Sequence, residues 1–191
     1  AYSVTDCNES ASGTLQIPNS YNGLPVTSIG YGAFYNCSGL TSITIGNSVT
    51  LIGADAFYGC TSLTGITIPE GVTSIGINTF AYCSGLTSIT IPESVTSIGT
   101  FAFGVCESLT SVTIPHSLTS LHSLTSIGNS AFESCTSLSS IAIPDGVTSI
   151  GNDAFASCTS LSSITIPDHV TSIGDGAFAS CTNLGSVTIP D

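Results

Sequence analysis

Apolar residues in this chain fall in two short alternating runs, and the two runs return together every 23 residues. The first run reads Leu-x-x-Ile-x-Ile-Pro, as in Leu86-Thr87-Ser88-Ile89-Thr90-Ile91-Pro92. Ile89 and Ile91 alternate with Ser88 and Thr90, the period-two signature of a strand with one buried and one outward face. Pro92 closes the strand, because it has no N–H to give a ladder. The second run is Val-Thr-Ser-Ile-Gly, as in Val95 to Gly99, and Gly99 is expected to let the backbone turn. An Ala-Phe pair then predicts a helical turn or 3-10 piece. Its Phe, and the Cys three residues later, should drop into the core.

These single-letter columns run the length of the chain. The Phe column is Phe34, Phe57, Phe80, Phe103, Phe132, Phe155 and Phe178. The Cys column is Cys37, Cys60, Cys83, Cys106, Cys135, Cys158 and Cys181. A fixed period of this size predicts a β-rich solenoid of seven to eight coils, each packing only on its neighbours. One side should be a parallel sheet, and the other short strands and 3-10 turns. Residues 1–30 read as an N-terminal capping repeat and 31–191 as the array. The step widens between Cys106 and Cys135, where His116 to Leu121 is echoed by His122 to Ile127. This six-residue insert at 116–121 should bulge as a loop without breaking the core.

The consensus Leu-x-x-Ile-x-Ile-Pro, Val-x-x-Ile-Gly, Ala-Phe, x-x-Cys resembles the BspA-like leucine-rich repeat over roughly residues 14 to 191. Tyr2-Ser3-Val4-Thr5 and Gly23 to Gly30 resemble the start of such arrays. The resemblance implies surface and secreted proteins of bacteria and some protists, often linked to adhesion, with no shared active site. The chain departs from that pattern in having no Lys or Arg.

Charge changes the picture most. In 191 residues there are 12 acids and no Lys or Arg, giving a formal net charge of −12. Nothing can neutralise phosphates, which argues against nucleic acid and against a polybasic membrane contact. No P-loop lysine, arginine clamp or Schiff base can be built. Charged residues make up only 6%, while Ser and Thr fill about three positions in ten, so the polar surface is mostly hydroxyl. The longest apolar runs are far short of a membrane span. The chain starts at Ala1 and stops at Pro190-Asp191 on a repeat strand, so it reads as a mature or partial stretch of a longer secreted product.

Several columns are candidates for chemistry. The cysteines read as a ladder of buried free thiols, because parallel Cβ vectors on adjacent rungs fit disulfide geometry poorly. Cys7 is off register and is either half of a cap disulfide or free. The outward hydroxyls form a Ser-x-Thr ladder broken at Gly65 and Ala142. The plainest reading of this ladder is β-favouring polar residues on an uncharged face; the alternative is O-glycosylation, with Thr44, Thr67, Thr90, Thr113, Thr165 and Thr188 as the candidates. Asn8-Glu9-Ser10 and Asn36-Cys37-Ser38 match the N-glycan acceptor pattern, with Asn36 the poorer site because Cys37 should be buried. After the strand prolines come Glu70, Glu93, His116, Asp145, Asp168 and Asp191. Solvent screening of their repulsion is the plainer reading; the alternative is a Ca²⁺ ion bridging Glu70 with Glu93, or Asp145 with Asp168, and no other cofactor is implied.

The turn columns are asymmetric. Tyr31, Tyr35, Tyr58, Ile77, Tyr82, Phe101 and Val105 occupy the first four repeats, and Asn, Ser, Asp and Glu the last three. This predicts a contact patch, against the plainer reading of local tyrosine packing. The histidines, His116, His122 and His169, form no constellation, and no nucleophile–base–orienter set can be placed. The expectation is a non-enzymatic extracellular or cell-surface protein, structural or adhesive, working through protein or glycan partners. The alternative is a head-to-tail fibre of copies stacked through the open end at Ile189-Pro190-Asp191. A ligand-binding receptor domain and an ice-binding protein are weaker rivals.

Overall fold

A computed structural model describes residues 1–115 and 124–188. The Leu-x-x-Ile-x-Ile runs line one face as parallel strands, a six-stranded sheet from Ser12–Ile17 through Gly39–Ile45, Gly65–Thr67, Ser88–Thr90 and Ser111–Thr113 to Ser140–Ile141, followed by a two-stranded sheet of Ser163–Thr165 and Ser186–Thr188. The Val-Thr-Ser-Ile runs form a second parallel stack, from Tyr2–Val4 and Leu24–Ile29 through Leu51–Ile52 to Ser172–Ile173. The second side is therefore strand as well as turn. The Ala-Phe segment forms a run of hydrogen-bonded turns. The opening residues join the array directly: Tyr2 pairs with Val26 and Val4 with Ile29.

Register holds across the insert. Ser97 pairs with Ser126 and Ser111 with Ser140, each 29 positions apart, so six extra residues leave the sheets in step. The insert itself, with His116 and His122, lies outside the described residues, as does the terminal Ile189-Pro190-Asp191.

The core is a set of one-dimensional stacks. The inward Ile pairs from Ile43 to Ile166, Val72, Val95, Val147 and the Leu column from Leu40 to Leu161 are buried. The Phe rings stack in unbroken file from Phe34 to Phe178, with centroids 5.2–5.6 Å apart and planes within 7°. Each coil also hands its turn amides to the next coil: Phe57 N–H donates to the Thr79 carbonyl at 2.9 Å and Phe80 N–H to Ala102 at 2.8 Å. Backbone pairing thus runs along the turn side as well as along the sheets, which leaves few polar backbone groups in the core unpaired.

Cysteine has a definite task in this lattice. The Phe34 carbonyl accepts Cys37 N–H within its own coil and the Cys60 thiol of the next at 3.2 Å. The same thiol bond repeats from Cys83 to Cys181 at 3.0–3.2 Å. A small apolar side chain that still carries a weak donor fits this site, and Cys is that residue. All eight cysteines are free thiols.

Two columns adopt left-handed backbone in every coil. Two residues before each Phe stand Gly32, Asp55, Asn78, Phe101, Ser130, Asp153 and Gly176. Two residues after it stand Asn36, Gly59, Tyr82, Val105, Ser134, Ser157 and Ser180. All have φ between 52° and 71°. The expectation for Gly99 is corrected here, because neither it nor its column mates has positive φ. Their requirement is closeness. A Cβ on Gly99 would sit 2.9 Å from the Gly76 carbonyl carbon, and one on Gly128 2.6 Å from that of Gly99, so the coils touch backbone to backbone there.

Candidate functional site

The turn side of the first coils carries a continuous aromatic ladder. Tyr35 and Tyr58 stack at 4.8 Å with planes 6° apart. Tyr58 meets Tyr82 at 5.1 Å and 49°, and Tyr82 meets Phe101 at 5.8 Å and 57°. These four rings come from three different columns. Tyr35 and Tyr58 directly follow the core Phe, Tyr82 stands two after it, and Phe101 stands two before it. The ring file is maintained while its sequence register moves. Gly104 makes this possible: it holds the position of Tyr35 and Tyr58 in its own coil, and the Phe101 ring covers it so closely that a Cβ would collide with the ring.

Three members of this region sit on unfavourable backbone. Tyr82, Phe101 and Val105 have φ of 60°, 54° and 58°. Other coils fill those two columns with Asn, Asp, Ser or Gly, which tolerate the left-handed region. Each bulky or branched residue there costs about 1–2 kcal/mol, and the core beneath is the same in every coil. Backbone geometry therefore does not explain why aromatics stand at these positions.

Around the ladder lie further exposed apolar residues. Tyr31, Leu51 and Ile77 are 76%, 58% and 54% exposed. Tyr31 does not join the stack. Its hydroxyl meets the Asp55 carboxylate, whose hydrogen bond and negative charge hold the Tyr31 pKa above the ordinary tyrosine value. Asp55 also accepts from the Asn78 amide at 2.9 Å. Tyr58 is raised too, first by burial and then by Tyr82 beside it. Of the expected patch, the stack thus gathers Tyr35, Tyr58, Tyr82 and Phe101, while Tyr31, Ile77 and Val105 lie outside it. Leu51 was not foreseen. Its signal is a single Leu at the column position that is Ser in Ser28, Ser74, Ser97, Ser126, Ser149 and Ser172.

The later coils use the same side differently. Asn129 Oδ1 accepts Asn152 N–H at 2.9 Å, and Asn152 Oδ1 accepts Asp175 N–H at 3.0 Å. Those positions align with Tyr31, Ala54, Ile77 and Thr100. A self-satisfied amide ladder stands in the column where two early coils expose Tyr31 and Ile77.

The remaining candidates are scattered. Glu70, Glu93, Asp145 and Asp168 are all exposed, and the described residues contain no group of three or more His, Cys, Asp or Glu able to hold a metal. Thr44, Thr67, Thr90, Thr113, Thr165 and Thr188 are exposed on the sheet face, as are Asn8 and Asn36 at their turns. Asn8 Oδ1 accepts the Ser10 hydroxyl at 2.7 Å, whereas Asn36 is followed by the buried Cys37. The two breaks in the hydroxyl ladder form shallow recesses on the sheet face, about 320 Å³ around Gly65 and about 400 Å³ around Ala142. No helix among the described residues is long and apolar enough to cross a membrane.

Three solved structures share this architecture. A leucine-rich repeat protein from Bacteroides ovatus is 37% identical, with a TM-score of 0.84 over 93% of this chain and 45% of its own. The T. pallidum leucine rich repeat protein is 33% identical, with a TM-score of 0.87 over 96% of this chain and 83% of its own. A leucine rich cell surface protein from Faecalibacterium prausnitzii is 39% identical, with a TM-score of 0.77 over 91% of this chain and 46% of its own. The chain thus spans less than half the length of two of these structures. No curated protein matches it. The sequence profile of the BspA type leucine rich repeat region matches six copies, across residues 8–123 and 121–191. With its repeat, its coil and its solved relatives in agreement, the chain belongs to the BspA-type leucine-rich repeat family.

Proposed function

We propose that this chain is a non-catalytic recognition scaffold, displayed outside the cell or on its surface, that binds a protein partner through the ladder of Tyr35, Tyr58, Tyr82 and Phe101. Leucine-rich repeat proteins generally mediate protein interactions, and the cell-surface relative from F. prausnitzii supports the location. The observation that carries the reading is the ring file kept intact across two changes of sequence column, two of its rings on costly left-handed backbone. Protein is favoured over glycan because Tyr35 and Tyr58 turn their faces to each other. A sugar stacks on a free ring face, whereas the ladder offers edges and hydroxyls, which suit side chains and backbone amides. Glycans on Thr44, Thr90 and Thr165 would lie on the sheet face and leave the ladder open.

The test compares wild type with the Y35S/Y58S/Y82S/F101S variant on arrays of extracellular proteins and of glycans. Wild type should bind protein targets, and the variant should lose at least about tenfold in affinity. Equal binding by both sinks the ladder as the site, and binding to glycans alone replaces protein with sugar as the ligand.

A second reading, assembly of copies end to end, has its own observation. Ile173 and Val187 are 38% and 37% exposed, whereas Ile150 and Ile164 one coil earlier are 1% and 3%. A second copy seated on these two side chains would cover them. Negative-stain images at micromolar concentration separate fibres from single particles.

A further inference from the structure

The opening coil replaces the Phe–Cys pair by Asn8 and Ala11. Ala11 N–H donates to the Asn8 carbonyl at 2.7 Å, as Cys37 N–H donates to that of Phe34. The Asn8 carbonyl therefore stands where every later coil has a Phe carbonyl, and the Cys37 thiol reaches it at 3.9 Å, a looser contact than the 3.0–3.2 Å seen for Cys60 to Cys181. A second thiol arrives at the same oxygen, because Cys7 Sγ lies 3.4 Å from it. Two thiols converge on one acceptor at this end alone. In the other coils each thiol has its own carbonyl.

From this convergence we infer that Cys7 and Cys37 are a thiol pair built to close into a disulfide that pins the opening coil onto the array. The alternative partners are poorly placed. Cys60 and its successors are held to their Phe carbonyls in parallel file, a geometry that disfavours the disulfide dihedral. Cys7 packs against the core yet stays partly open to solvent. It lines a recess of about 300 Å³ with Val4, Leu15, Ile17 and Phe34, so a small oxidant reaches it first. Cys37, by contrast, is fully buried. Burial, and then the Cys7 thiol beside it, push Cys37 well above the ordinary thiol value, so it reacts second.

The oxidant class is a small-molecule disulfide. The Cys7 thiolate attacks one sulfur of glutathione disulfide, forming a mixed disulfide and releasing one glutathione thiolate. The Cys37 thiolate then attacks the Cys7 sulfur, forming the Cys7–Cys37 bond and releasing the second. Two protein thiols are oxidised by two electrons, one disulfide is reduced to two thiols, and the two protons pass to the released glutathiones. The bond closes the span from residue 8 to residue 36 and holds the first ring of the aromatic ladder, Tyr35, two residues from a covalent anchor. The inference does not depend on what the ladder binds.

The experiment incubates the full chain with glutathione disulfide and reads intact mass and a peptide map. Trypsin has no site in a chain without Lys or Arg, so Glu-C and chymotrypsin make the cuts. The expected result is a loss of two hydrogens in most molecules, one linked peptide joining Cys7 to Cys37, and no linkage in Cys7→Ser. The oxidised protein should also melt higher than the reduced one, a difference that Cys7→Ser abolishes while Cys60→Ala, if folded, retains it. A stable glutathione adduct on Cys7 with Cys37 still reduced overturns the proposal, as does a Cys7–Cys7 dimer or a bridge between Cys37 and Cys60.

Discussion

The early and late coils are the same machine inside and different objects outside. Phe57 and Phe155 are both fully buried in ring files of the same spacing, and Cys60 and Cys158 make the same thiol bond. On the turn side, Tyr58 and Tyr82 stack where Ala156 and Ser157 occupy the late coils, and Ile77 stands where Asn152 satisfies the Asp175 amide. The lesson is that the lattice leaves the turn columns free. Where those columns hold residues that are expensive on left-handed backbone, as at Tyr82 and Phe101, local backbone preference does not account for them.

The sharpest way to break this comparison is to delete one core ring from each half. Phe57→Ala and Phe155→Ala should each cost about 3–5 kcal/mol, and by equal amounts, measured in urea. A clear inequality between them would show that the halves differ inside as well.

The second way uses pH. Burial pushes the Cys106 and Cys158 thiols from an ordinary 9.0 to about 12. The folded state holds these protons more tightly than the unfolded state. Stability should therefore be untouched by the thiols below pH 9 and fall as pH climbs from 9 towards 12, by up to about 4 kcal/mol per thiol. Denaturation curves at a series of pH values, with Cys106→Ala and Cys158→Ala as controls, should lose slope to the same extent. A slope lost in only one variant breaks the symmetry.

A smaller difference should appear on the surface. Asn152→Ala removes the acceptor of the Asp175 amide and should cost about 1 kcal/mol. Ile77→Ala at the aligned position removes a half-exposed side chain and should cost less than about 0.5 kcal/mol. Thermal melts on the two variants rank them, and the reverse order would contradict the amide ladder. The smallest effect belongs to Thr79, which is fully buried with no partner for its hydroxyl in a column that is otherwise Ala. Thr79→Ala should leave stability unchanged or raise it by up to about 1 kcal/mol. A loss of more than that would mean the methyl group outweighs the orphan hydroxyl.

The strands, the inward Ile pairs and the Phe and Cys columns were legible because each repeats at one offset and obeys a period of two or a fixed step. The aromatic residues were legible as a list, but their stacking was not. Tyr82 and Phe101 sit one and four positions from where Tyr58 and Tyr82 would place them by simple repetition of one column, and only the folded coil brings the rings together. The left-handed columns were hidden for a related reason. Glycine marks them in only three coils, at Gly32, Gly59 and Gly176, and Asn, Asp, Ser and larger residues fill the rest. The glycines that do repeat, such as Gly99, answer to the touching of neighbouring backbones, which no local turn pattern encodes. Leu51 carried a signal, one Leu in a column of Ser, that a search for patches in the turn columns passes over.

The aromatic asymmetry also makes the molecule its own reporter. All six tyrosines lie between residues 2 and 82, and there is no tryptophan. Ultraviolet emission therefore comes from the early coils, while backbone dichroism averages over the whole array. In a stack where each coil leans only on its neighbours, unravelling can begin at either end. If the opening coils go first, emission changes ahead of dichroism; if the late coils go first, dichroism leads. No label is needed to see which end frays.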